Sequence, residues 1–140
     1  VVLGARLDEA GLSGRVEVDS CGIGGWHAGE RMDDRAAATL SAHDYDPTSH
    51  RARQLTAAWF ADHDLLLAMD HDNDRQARAL APSSADADRV RMFRSFDPEA
   101  SEADDQVPDP WYGSPEGFER VLATIERTTK AIVAALDEST

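Results

Sequence analysis

The sequence predicts an α/β layer fold with a mostly parallel sheet flanked by helices. Amphipathic helical patterns alternate along the chain with short apolar segments, the order that builds a sheet covered by helices. The run Asp64-Leu65-Leu66-Leu67-Ala68-Met69-Asp70 is continuously apolar between carboxylates, which is how a parallel strand buried on both faces reads. A length of 140 residues with 41% hydrophobic content is enough for the core of one domain, residues 1–140, and too little for two.

Val1 to Ala10 reads as an amphipathic helix from its first residue, with no Ser, Thr, Asp or Asn ahead of it to cap it. The chain is therefore expected to begin inside a helix, with an upstream segment belonging to the same fold. Gly11 stops that helix in the left-handed position that glycine favours, and Arg15-Val16-Glu17-Val18-Asp19 alternates like a strand. Residues 21–29 hold four glycines in nine positions and read as a surface loop over a site. Asp33 or Asp34 caps a second helix to about Ala42, Asp46-Pro47-Thr48-Ser49 turns into His50–Leu55, and Thr56 caps a short helix over Ala57–Asp62. After the strand at 64–70, Asp72 or Asn73 begins a helix to about Ala81, Pro82-Ser83-Ser84 turns, and Arg89–Arg94 supplies another strand. Asp97 to Asp109 is acidic, contains Pro and lacks any basic residue, hence a long loop. Ser114-Pro115-Glu116 starts the last helix, whose stripe is Phe118, Val121, Leu122, Ile125, Ile132, Val133 and Leu136.

Composition narrows the function classes. A formal charge of −13 repels polyanions, so nucleic acid is not an expected partner. No apolar run approaches the length of a membrane span, which excludes a membrane helix from the reading. Cys21 is the single cysteine and has no internal disulfide partner, which together with the absence of a basic-then-apolar leader makes the cytoplasm the expected compartment.

Most local constellations have a bland reading. Asp70-His71-Asp72-Asn73-Asp74 resembles a calcium loop, but Arg75 stands where such loops need Gly and Ala81 where they need Glu, so Asp70 and Asp72 are read as helix caps. Gly22-Ile23-Gly24 lacks the third glycine of a dinucleotide loop, because His27 occupies that place. His27, His43, His50, His63 and His71 have no paired spacing on one helix face, so neither a metal nor any other cofactor is expected. Cys21 has His27 six residues on, where a phosphate-gripping cysteine loop needs Arg, and is read as a small buried or half-buried residue. Asp109-Pro110-Trp111-Tyr112-Gly113 differs: a carboxylate on fixed backbone beside two aromatic rings is what a general acid for an aromatic leaving group requires. On spacing alone, a turn ahead of a helix remains the competing reading.

Five segments occur in an order that resembles the low-molecular-weight protein-tyrosine phosphatases, in particular a bacterial member. They are Val18-Asp19-Ser20, Gly24-Gly25-Trp26-His27, Ser49 to Thr56, Leu66-Leu67-Ala68-Met69-Asp70 and Asp109 to Gly113. The resemblance implies a three-layer fold with a four-stranded parallel sheet. It also implies hydrolysis of phosphotyrosine proteins or aryl phosphates through a cysteinyl-phosphate. Carried over residue by residue, Asp109 is the general acid and base, Trp111 and Tyr112 wall the substrate cleft, and Trp26 with His27 form its opposite lip. Ser20 and His50 match polar residues that hold the phosphate loop in shape.

One departure stands out. The family's Cys-x5-Arg nucleophile loop, and the central first strand before it, have no counterpart in these residues. The 140-residue chain alone is thus expected to be inactive and to associate with another strand, from itself or elsewhere, to fill the sheet. Two other functions stay open: a non-catalytic binding module that keeps the aromatic cleft, and a relative resembling arsenate reductase.

Overall fold

The computed structural model describes residues 1–12, 14–22, 29, 32–48, 50, 53–108 and 115–139. Helix α1 spans Val2–Glu9, buries Val2 and Leu7, and ends where the sequence predicts. Gly11 takes φ +74, the Leu12 amide donates to the Leu7 carbonyl at 2.9 Å, and the Gly11 amide donates to Asp8 at 3.2 Å. This pair of bonds is the Schellman closure, which satisfies carbonyls that the helix end would orphan.

The expected strand over 15–19 does not form: residues 14–15 turn, and no ladder reaches 16–20 from any described residue. Alternation makes a segment able to pair, but a strand exists only with a neighbour to pair with. Pairing begins instead at Gly22, in an isolated parallel bridge with Gln54. There the Gly22 amide donates to Arg53, and Gly22 accepts from Leu55, both at 2.7 Å.

Helix α2 (Asp34–Ala42) is capped by Asp33, whose Oδ2 accepts from the Arg35 and Ala36 amides at 3.1 and 3.2 Å. Helix α3 (Trp59–Asp62) starts later than expected, because the amides of Trp59, Phe60 and Ala61 bond three residues back, to Thr56, Ala57 and Ala58. Strand β1 is Leu66–Ala68 and strand β2 is Val90–Met92, parallel and in the register Leu66 to Val90. Both are shorter than predicted. Leu65 and Met69 are 42% and 39% exposed, so the run at 64–70 is not buried on both faces along its whole length. Phe93 and Arg94, expected to close the strand at 89–94, instead begin a 3₁₀ turn over Phe93–Phe96.

Asp70 caps α4 (His71–Leu80) through its Oδ1, which accepts from the Asn73 amide at 2.7 Å. The helix thus begins one residue earlier than Asp72, and Asp72 turns to Arg75 and Gln76 rather than capping. Ser83 caps a single-turn helix, α5 (Ser84–Ala87), within what reads as a plain turn. The last helix, α6, runs Pro115–Ser139 as the periodic stripe predicts.

The core divides on β1. Leu66 packs with Leu55, Phe60, Ala77 and Val90, while its neighbour Leu67 packs with Phe93, Val107 and Ile132. Successive strand side chains point to opposite faces, so α3 and α4 cover one face and α6 the other, with α1 and α2 packed on α6. The α/β class with a parallel sheet flanked by helices therefore holds. Among the described residues its ladder has two strands, not four.

Candidate active site

The cleft residues singled out in the sequence divide into two groups. Trp26, His27, Asp109, Trp111 and Tyr112 lie outside the described residues. Ser20 and His50 are described, and they come together: both line one cavity of about 440 Å³ beside the start of α1, with Arg53, Asp8, Asp19 and Asp46. Residues thirty positions apart line one cavity because the Gly22–Gln54 bridge lays the segment after α1 alongside the segment around Gln54.

The cavity wall is polar and internally tied. Asp19 accepts from Arg53 Nη1 at 3.2 Å and pairs with His63 Nε2 at 2.9 Å. The hydrogen bond from His63 is the main cause holding the Asp19 carboxyl below its usual range. His63 is correspondingly raised, chiefly by Asp19. Cys21 is exposed, against the expectation of a buried or half-buried residue. Its short side chain follows Asp19 and Ser20 out onto the surface, where no apolar cluster receives it. Covering by neighbouring atoms, then the Asp19 charge, push its thiol upward. That direction opposes thiolate formation, and a thiolate is what a nucleophile needs.

The long acidic loop is built on a buried ion cluster that local sequence patterns do not reveal. Asp97 has a fully buried side chain and accepts from Arg127 Nε and Nη2 at 2.8 and 2.9 Å, from Arg94 Nε at 2.9 Å, and from the Glu99 amide at 2.9 Å. These donors, Arg127 foremost, hold the Asp97 carboxyl far below the ordinary carboxylate range. Arg94, 4% exposed, also reaches Asp104 at 2.5 Å and the Gln106 carbonyl at 3.0 Å. Farther along, Asp105 pairs with His71 Nε2 at 2.8 Å, and the Val107 amide donates to the Met69 carbonyl at 2.7 Å. The loop is thereby fixed up to the C-terminal end of β1, where ligands bind in open α/β sheets. Arg94 and Asp97 stand three apart, the one hint in the sequence; the third partner, Arg127, is thirty residues on.

No group of three metal-ligating side chains converges among the described residues. Among them also, no helix is long and apolar enough to cross a membrane.

The family model for low molecular weight phosphotyrosine protein phosphatase matches residues 2–140. The chain belongs to that family. It is 44% identical over 137 residues to the low molecular weight protein-tyrosine-phosphatase of Streptomyces coelicolor, covering 98% of this chain and 83% of the relative. It is 43% identical over 133 residues to low molecular weight protein-tyrosine phosphatase A of Mycobacterium tuberculosis, covering 95% of this chain and 78% of the relative. Its structure is similar to the crystal structure of an Entamoeba histolytica protein tyrosine phosphatase with Hepes in the active site. There the TM-score is 0.90 at 25% identity, over 99% of this chain and 86% of that one. Within the phosphatase family the α/β architecture is thus the expected one, and the resemblance drawn from the five ordered segments is borne out.

Proposed function

We propose that this chain is the cleft-bearing part of a single-domain phosphotyrosine hydrolase working through a cysteinyl-phosphate, with Asp109 as general acid and base. The observation that supports this reading best is that Ser20 and His50 line the same cavity, in a chain of this family. They are the two described residues that the resemblance assigns to holding a phosphate loop.

In the first step a thiolate attacks phosphorus, the bond to the tyrosine oxygen breaks, and Asp109 gives its proton to the departing phenolate. In the second, water attacks the phosphorus of the cysteinyl-phosphate while the Asp109 carboxylate takes the water proton, and the thiolate leaves. Trp111 and Tyr112 on one side, and Trp26 with His27 on the other, grip the aromatic ring. Asp104 and Asp105 are poor substitutes for the acid, because each is already engaged, Asp104 by the Arg94 guanidinium and Asp105 by His71 Nε2.

The attacking thiolate is not Cys21, and these 140 residues contain no Cys-x5-Arg segment. By themselves they are expected not to turn over substrate, lacking both nucleophile and the amides and Arg that stabilise the charge built up at phosphorus. The central strand of a four-stranded sheet is expected beside β1. Leu66 bonds toward β2 through its amide, so in a parallel ladder the amide and carbonyl of Leu67 face the other edge. A strand seated there would lie between β1 and residues 16–20, supplied in cis, or by another copy through self-association. The cytoplasm is the compartment this chemistry and a lone thiol suit.

The test compares aryl phosphate hydrolysis by the 140-residue chain with that of the same chain joined at Val1 to a family strand and Cys-x5-Arg loop. Activity is expected only in the joined protein, and loss of its loop cysteine should abolish it. Turnover by the 140-residue chain that disappears in Cys21→Ser would overturn the assignment.

A further inference from the structure

The ring of His63 is held between two groups that can only accept hydrogen bonds. Its Nδ1 lies 3.0 Å from the Trp59 carbonyl oxygen and its Nε2 lies 2.9 Å from Asp19 Oδ2. A neutral imidazole carries one N–H and one lone pair, so either tautomer would set a lone pair against an oxygen. Only the imidazolium satisfies both contacts. The Trp59 indole stacks on the same ring, with centroids 4.6 Å apart and planes 10° from parallel, an arrangement that favours a cation over the π face.

The charges around this group agree. Asp19 faces it directly, and Asp62 adds a second negative charge from α3. Arg53 shares the Asp19 carboxylate, and Arg89 reaches the His63 carbonyl and the Phe60 carbonyl while pairing with Asp86. Cys21 is close enough to Asp19 to feel its charge. On balance the setting raises the affinity of His63 for its proton, the Asp19 hydrogen bond being the largest cause.

We infer that His63 is a proton-operated fastener that ties the cavity wall at Asp19 and Ser20 to α3 firmly when charged, and loosens that tie when neutral. Loss of the proton leaves one N–H for two acceptors and removes the charge that attracts Asp19, so the tie between them falls to at most a neutral hydrogen bond, beside the exposed Arg53 pair that salt screens. The wall that carries Ser20 thus becomes sensitive to pH in the range where histidine titrates. This inference is independent of the proposed phosphatase chemistry and its test does not measure turnover.

The experiment is an NMR titration of the folded 140-residue chain, following the His63 Cε1–H, the Trp59 indole N–H and the Ser20 amide. The ring should titrate with a midpoint above the ordinary histidine value of about 6.5. The indole and the Ser20 amide should move with that same midpoint. Asp19→Asn, a conservative change at a half-exposed position, should lower the midpoint and detach the Ser20 amide from it. A Ser20 amide that stays still while the ring titrates overturns the fastener. So does a midpoint that Asp19→Asn leaves unchanged, and the wild-type titration decides the first point without any variant.

Discussion

Asp97→Asn is the sharpest test of how the acidic loop is held. The substitution keeps the side chain's size and replaces one accepting oxygen with an NH₂ that faces arginine donors. Removing one partner of a buried ion pair costs about 3–5 kcal/mol, since the remaining charge stays desolvated. Here the two arginines differ. Arg127 is 31% exposed and can turn to water, whereas Arg94 is 4% exposed and keeps only Asp104 and the Gln106 carbonyl. Because Arg127 can turn to water and Arg94 keeps one carboxylate and one carbonyl, the loss is placed at the lower end, about 3 kcal/mol. With an unfolding entropy of about 2.1 cal/mol/K per residue, 140 residues give about 0.3 kcal/mol/K, so Tm should fall by about 10 °C. Circular dichroism melts measure it, and their pH dependence adds a second check. Because the folded-state affinity of Asp97 for its proton is depressed, the pair's contribution is complete above the unfolded value of about 3.9 and is lost only as pH falls below it. The gap between wild type and variant should therefore be the same at pH 7 and pH 5 and shrink in stronger acid. A Tm change under about 2 °C, where surface substitutions fall, or a gap that already closes by pH 5, would refute the assigned role.

Other consequences can be measured with equal directness. Gly11→Ala should cost about 1 kcal/mol in urea unfolding, because a Cβ there meets no atom within 4 Å and only the left-handed backbone at φ +74 is penalised; an unchanged midpoint would remove the Schellman closure as a constraint. In the chain joined to a Cys-x5-Arg loop, Asp109→Asn should slow phosphotyrosine turnover by about 10²- to 10⁴-fold and p-nitrophenyl phosphate turnover less, since the latter's leaving group needs no proton. Equal slowing of both substrates would assign the acid elsewhere. Supplying the expected strand in that joined protein should raise Tm, by completing hydrogen bonds along β1 and covering Leu65 and Met69, which are now exposed. An unchanged Tm would contradict a strand at that edge.

What the sequence reveals here depends on how local the cause is. Gly11 and Asp33 act within a few residues of themselves, so the end of α1 and the start of α2 could be read directly. The stripe on α6 could be read too, because Phe118, Leu122 and Ile132 repeat at helical spacing and are all buried. Residues 15–19 misled for the opposite reason: alternation describes one strand, and a ladder requires two. The same holds for Asp97, whose partner Arg127 sits on the far side of thirty residues and inside an otherwise amphipathic helix. Thr128 and Thr129 are fully buried on α6, their hydroxyls turned onto the Thr124 and Glu126 carbonyls, and nothing in an apolar stripe announces them. At the site, Ser20 and His50 could be paired only through family resemblance, since no spacing rule links positions thirty apart.

The division of the core at β1 has a bearing on how the molecule comes apart. Leu66 belongs to one apolar cluster and Leu67 to the other, so a strand of three residues is a party wall between two interiors. A slip of one residue would exchange the two leucines and mismatch both sides together. Loss of the wall would open both interiors at once. The two halves are expected to melt together, with the amides of Leu66 and Ala68, which face β2, among the last to exchange with solvent.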